Sequence, residues 1–120
     1  METFNEKFRR RTKRFALDVL KTLKVKSDSD AFKIMARQLM RCTTSVAANF
    51  RAAGRYKSQK DYIHKLNIVI EECDESVFWL EMLSESGEMS EKLTSPLIIE
   101  ADELTAVFSK VKSRAIQSKK

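Results

Sequence analysis

Few residues in this chain have the type and spacing to do chemistry. The single histidine, His64, has Asp61 three residues before it. A di-iron carboxylate centre in a helical bundle needs a Glu-x-x-His pair from each of two helices, so one histidine excludes it. Cys73 is nine residues beyond His64, about 13 Å along a helix at standard rise, so the two are not expected to share a zinc ion. Cys42 and Cys73 lie on buried seams rather than at helix N-termini or beside a general base that would activate a thiol. They are read as buried, reduced thiols behaving as small hydrophobes. Two glycines in the chain leave no phosphate-cradling loop. The acids Glu71, Glu72, Asp74 and Glu75 are read as a solvated helix face that also supplies a partner for Arg41. No catalytic residue, metal or cofactor is expected, and the chain is not read as an enzyme.

Cations are the abundant chemical resource. Arg9, Arg10, Arg11, Lys13 and Arg14 crowd one short stretch, and Arg51, Arg55, Lys57 and Lys60 crowd another. Clustered Arg and Lys bind phosphates by charge and counterion release, without reading sequence. Tyr56, between Arg55 and Lys57, adds a ring on which an unpaired base can stack. The other reading of these cations is a solvated face balanced by acids elsewhere. The net charge of +6 is strongly segregated. Residues 1–26 hold nine Lys/Arg against three acids, and residues 27–60 hold seven against two. Residues 61–103 hold two against twelve, and residues 104–120 hold five against none. That pattern suggests internal pairing together with a basic face for an anionic partner.

Helices must position these groups. The chain has 120 residues, 42% hydrophobic, with two glycines and one proline, which disfavours both disorder and a turn-rich β fold. Four apolar stripes have helical period. Phe4, Phe8, Phe15, Val19 and Leu23 mark a first helix over about residues 3–23, ended by the polar stretch Lys26 to Asp30. Met35, Leu39, Cys42, Val46, Asn49 and Ala53 follow the alternating spacing of a packed seam over residues 30–53, with Gly54 as the expected left-handed residue after it. Tyr62, Leu66, Val69, Cys73, Ser76, Leu80 and Leu83 mark a third helix from about Ser58 to Ser86. Leu97, Ala101, Leu104, Phe108, Val111 and Ala115 mark the fourth, whose start is ambiguous: Ser90 can cap it, but Ser95-Pro96 is the better N-cap and first-turn pair, leaving 90–94 as a short turn. Short connections make sequential helices antiparallel neighbours. The expected fold is all-α, an antiparallel up-down-up-down four-helix bundle, with residues 1–120 as a single domain. No apolar run approaches the ~18 residues of a membrane span, and no secretory signal is read at the start. A cytoplasmic location is expected.

The turn near residues 54–58 sets the register of the second hairpin: residues whose numbers sum to about 115 lie level in an antiparallel pair. Arg41 is then level with Asp74 and within a turn of Glu71 and Glu75, which predicts an interhelical ion pair. Arg41, Ser45 and Asn49 recur every four residues, with Asp74 and Glu75 opposite. Two readings stand: a polar ladder that fixes register, or a stripe facing a ligand or nucleic acid. Asn49 on the seam is expected to be structural, hydrogen-bonded across the bundle. The third helix is apolar on two adjacent seams and carries Ile68, Phe78, Trp79 and Met82 besides. Such width suggests packing on a neighbouring subunit, with Trp79 either in the core or, as the preferred reading, at that interface.

Residues 41–83 hold motifs that are specific in combination: R-x-x-x-S-V-x-A-N from Arg41 to Asn49, then R-A-A from Arg51 to Ala53. S-x-x-D-Y-I from Ser58 to Ile63 and E-E-x-D-E-S-x-x-W-L from Glu71 to Leu80 follow, and E-L-T-A-x-F from Glu103 to Phe108 extends the match. With these the chain closely resembles the bacterial four-helix-bundle proteins of 23S rRNA intervening sequences, which are similar to accessory proteins of diversity-generating retroelements. Gly54 stands where relatives often carry Cys. The resemblance implies a homopentamer with a basic surface, in a family with no established enzymatic activity. The expected function is a small basic oligomeric accessory protein that binds RNA or DNA phosphates without sequence readout. The alternative is a scaffold that binds another protein, such as a reverse transcriptase, with no direct nucleic-acid role.

Overall fold

The structure, a computed structural model, describes residues 1–24 and 27–118. Lys26, read above as part of the first turn, lies outside them. The described residues form four helices, α1 (Phe4–Thr22), α2 (Asp30–Ala53), α3 (Gln59–Glu85) and α4 (Glu91–Gln117). Their starts have local causes. Thr3 and Glu6 form a reciprocal capping box at α1, with the Glu6 N–H donating to Thr3 Oγ1 at 3.1 Å and the Thr3 N–H to Glu6 Oε2 at 3.2 Å. Ser29 accepts from the Phe32 N–H at α2, and Ser58 from the Asp61 N–H at α3. The Ser29 hydroxyl also donates to Glu88 at 2.8 Å, tying the start of α2 to the α3–α4 turn.

Each helix packs against its neighbours in sequence, α2 most extensively against α3, while α1 touches α4 only lightly. This is the expected up-down-up-down bundle. The predicted seams form its centre: Leu39, Cys42, Val46, Leu66, Val69, Cys73, Leu80, Leu83, Ala101, Leu104 and Phe108 are fully buried. Phe8, Phe50 and Phe108 close one end with ring centroids 4.9–5.6 Å apart, an arrangement favoured by aromatic quadrupoles. Trp79 packs against this core, and its Nε1 is buried without a hydrogen-bond partner. The exposed apolar residues on α3 are Phe78 and Met82.

Two local expectations are corrected. The fourth helix begins at Glu91 after Ser90, so Pro96 lies inside it. The core explains the difference. Thr94 is fully buried beside Met89 and Leu97, which requires helix before Ser95. Pro96 lacks an N–H only for the carbonyl one turn back, that of exposed Lys92, where water can serve instead. Gly54 is not a left-handed cap: its φ is −66°. Among the described residues the one with positive φ is Gly87, at 83°, which returns the Met89 N–H to the Leu83 carbonyl at 3.0 Å.

Gly54 is needed for space instead. A Cβ there would lie 2.6 Å from Asn5 Nδ2, the mobile end of a side chain. Gly87→Ala should therefore cost about 1 kcal/mol from backbone strain alone, whereas Gly54→Ala should change stability by less than about 0.5 kcal/mol. Urea denaturation of the two variants measures both, and equal costs would contradict this account.

Candidate nucleic-acid interface

The nine cations singled out by sequence separate into groups once folded. Arg9, Arg10 and Lys13 on α1 line a groove of about 720 Å³ between α1 and α2, and Arg51 joins them from α2. The groove floor is apolar, including Leu17, Leu20 and Met40, all of which are exposed. A second hollow of about 420 Å³ lies at the α2–α3 turn and is lined by Arg51, Arg55, Lys57 and Lys65. Ala48 and Arg51 belong to both hollows, so the two form one basic track from the middle of α1 to the turn. Arg14 and Lys60 are exposed but line neither hollow. Arg10 also pairs with Glu2 at the chain's start.

Arg11 is of a different kind. Its Nε and Nη2 donate to Glu100 at 2.8 and 2.6 Å, and Nη2 also reaches Glu103 at 2.7 Å. The guanidinium lies over the Phe8 ring, 5.4 Å from its centroid. The Glu100 hydrogen bond leads in pushing its pKa above the usual arginine value. With its side chain only 28% exposed and its charge doubly countered, Arg11 joins α1 to α4 rather than offering a phosphate contact. Spacing on α1 put Arg11 among its neighbours, and only the long-range partners on α4 set it apart.

The predicted ladder is assembled in part. Arg41 bridges α2 to α3, donating from Nη2 to Glu75 at 2.7 Å and from Nη1 to Glu72 at 3.2 Å. Its level partner Asp74 is exposed and makes no such bond. Equal height does not mean equal face, since Asp74 is rotated away while Glu72 and Glu75, three apart, share the face toward α2. Glu72, read only as one of the four acids from which Arg41 draws a partner, belongs to the bridge beside Glu75. Asn49 does not cross the bundle either: its Nδ2 donates to the carbonyl and the hydroxyl of Ser45, both at 2.9 Å, one turn earlier in α2. It is half-buried, so a local bond suffices. Ser45 and Asn49 form a unit within the helix and do not fix the register between helices.

Cys42 Sγ, Glu72 and Glu75 lie within 4.8 Å of one another, a donor set a metal ion could use. Burial first, and then Glu75, push the Cys42 thiol up to about 12, which disfavours the thiolate a metal needs. Arg41 Nη2 stands 3.3 Å from that sulfur and already supplies a cation to the acids. Burial likewise raises Cys73 to about 12. Both cysteines are free and buried, as expected, and His64 is exposed.

The model of the 23S rRNA-intervening sequence protein family matches residues 5–110. A solved structure described as a protein of unknown function from the S23 ribosomal protein family, from Bacteroides thetaiotaomicron, is similar with a TM-score of 0.83 and 24% identity. The similarity covers 91% of this chain and 97% of that one and shows the fold. No curated protein matches the chain.

The bridges have distinct signatures. The Arg41 hydrogen bond, first among several causes, lowers Glu75 to about 2. A carboxylate depressed in the folded state stabilises fully above its unfolded pKa of about 4.3 and loses that contribution as pH falls toward 2. Glu75→Gln should flatten that part of the stability–pH curve. The effect is no more than about 1 kcal/mol because the pair is partly exposed. Arg11→Ala should cost about 1.5 kcal/mol or more, against about 0.5 kcal/mol or less for Arg9→Ala. Thermal melts between pH 2 and 7 check all three, and indistinguishable arginine variants would reject the separation.

Proposed function

The chain belongs to the 23S rRNA-intervening sequence protein family, and on that premise we propose that it is a small oligomeric accessory protein. It binds the phosphates of RNA or DNA without reading sequence, and it works by binding rather than catalysis. One observation carries this reading: Arg9, Arg10, Lys13, Arg51, Arg55 and Lys57, with Lys65 from the start of α3, line a continuous track along α1, α2 and the following turn. A strand laid along it meets cations in succession and releases condensed counterions, a sequence-independent source of affinity. No described helix is long and apolar enough to cross a membrane, and the proposed site of action is the cytoplasm.

Homo-oligomerisation belongs to the same proposal. Phe78 and Met82 on α3 and Ile99 on α4 are exposed, and a neighbouring subunit is a natural cover for them. A closed ring satisfies a head-to-tail contact without open polymerisation, and the proposed number is five. Repeating the track around a ring gives several weak phosphate contacts on one strand, and with them avidity.

A second reading is supported by the apolar floor of the groove. Leu17, Leu20 and Met40 are exposed beneath the basic rim, and an acidic amphipathic helix from a protein partner fits such a surface. Salt separates the readings. Binding through four phosphates should fall with a log–log slope near −3 for a single strand. The Arg9/Arg10/Lys13→Ala triple variant should keep its melting temperature within a few degrees and lose at least tenfold in affinity for a mixed-sequence oligonucleotide. No binding at low salt would leave the protein-scaffold reading. Light scattering tests assembly, and a monomer at micromolar concentration would reject the ring.

A further inference from the structure

The bundle end that carries the basic turn also carries a cavity of different chemistry. Its volume is about 290 Å³, and its lining combines Phe4, Phe50, Tyr56 and Tyr62 with the amides of Asn5 and Gln59. That volume is at the small end of the roughly 300–1,000 Å³ of ligand pockets, suited to one flat ring system. Tyr56 is 54% exposed and lies 5.1 Å, centroid to centroid, from the half-buried Tyr62. Tyr56 is thus the solvent-exposed aromatic of the lining, with Tyr62 packed against it at a tilt of 53°.

The amides leave the right groups free. Gln59 Nε2 donates to the Ala115 carbonyl at 3.0 Å and lies 3.5 Å from the Ser118 hydroxyl, which fixes the amide and leaves Oε1 to accept. Gly54 makes room for the Asn5 side chain, whose amide nitrogen and oxygen would be 2.6 and 2.9 Å from a Cβ at that position. Since Gly54 has an ordinary helical φ, the glycine serves this close approach and not the backbone. Side-chain amides and tyrosine faces are the groups proteins use on the edges and faces of bases. The neighbouring hollow is lined by Arg55 and Lys57, which flank Tyr56 in the chain. Phosphate binding and an aromatic pocket thus meet at one turn.

We propose that this pocket takes one unpaired nucleobase of a bound single strand, stacked against Tyr56, with its edge facing Asn5 and Gln59. The proposal rests on the nucleic-acid reading above and deepens it: the favoured ligand is unpaired strand rather than duplex. Every base has a face to stack, so the pocket discriminates strandedness without requiring a sequence.

The test compares two fluorescent strands of equal length and charge at the same salt, one with bases and one abasic, for the full-length protein and three variants. The unsubstituted protein should bind the base-bearing strand about tenfold more tightly, the scale expected for stacking one base. Tyr56→Ala should abolish that preference and leave abasic affinity unchanged, while Tyr56→Phe should keep it. Gly54→Ala, which displaces Asn5, should reduce the preference at unchanged abasic affinity. Melting temperatures of all variants should stay close to the parent. Equal binding of both strands by the parent protein overturns the pocket and leaves the phosphate track standing. Binding of neither strand overturns both. A preference that survives Tyr56→Ala, or a Gly54→Ala variant identical to the parent, places the discrimination elsewhere and overturns this assignment.

Discussion

Charge segregation between the two hairpins is the constraint on which the rest of this bundle depends. The α1–α2 hairpin is basic, whereas α3 and the first part of α4 hold most of the acids. Two arginines join the halves, one on each side. Arg41 reaches from α2 to Glu72 and Glu75 on α3, and Arg11 reaches from α1 to Glu100 and Glu103 on α4. Apolar seams tolerate some sliding and some exchange of partners. A guanidinium bonded to two carboxylates on one helix face tolerates neither. The second bridge matters particularly because α1 and α4 touch lightly, so the seam has little apolar burial to hold it closed. Burial drives collapse here, and the arginine bridges specify which helix lies against which and at what height.

The same segregation creates the functional surface. The remaining cations of α1, α2 and the α2–α3 turn outnumber the acids beside them, Glu2, Glu6 and Asp61, and their mutual repulsion costs the monomer some stability. That cost is tolerable because all the track cations but the half-buried Lys65 are exposed, with water and counterions screening them. What unites them is the geometry of adjacent helices: α1 contributes one rim of the groove, α2 the other, and the turn extends it. Beneath the rim the floor is apolar, which lets the surface contact more than a phosphate line. At the far end of the track the aromatic pocket begins, where α1, the α2–α3 turn and the end of α4 converge.

Periodicity made the bundle legible before the structure. Leu39, Cys42 and Val46, or Leu66, Val69 and Cys73, could be placed on one face because burial repeats along a helix, and that signal is local. The bounds of α2 came out at Asp30 and Ala53 for the same reason, with Ser29 as a capping residue of the expected kind. What failed was set elsewhere in the chain. Pro96 looks like a helix start until Thr94, before it in the chain, is seen to be fully buried. Gly54 looks like a cap until Asn5, from the other end of the hairpin, is seen to occupy the space its Cβ would fill. Asp74 has the right height for Arg41 and the wrong azimuth. The nine predicted cations were visible as a cluster, but no local rule separates the bridged Arg11 from the exposed Arg9 two residues away. Lys65, which completes the second hollow, was missed because it stands alone among the acids of α3.

The two classes of cation also differ in how salt acts on them, and this keeps binding separable from folding. Screening is strongest for exposed charges and weaker for pairs withdrawn from solvent. Arg11 and Glu100 are each only about a quarter exposed and are joined by two direct bonds, so ordinary ionic strength leaves their bridge largely intact. Arg9, Lys13, Arg55 and Lys57 are exposed, and the counterions they release on binding a strand must be released against the salt in solution. Rising salt therefore detaches a nucleic acid well before it opens the bundle. Had the bridging and the binding arginines shared the same exposure, loss of ligand and loss of fold would occur together. Their separation by one helical turn or less on α1 lets a single basic segment do both jobs.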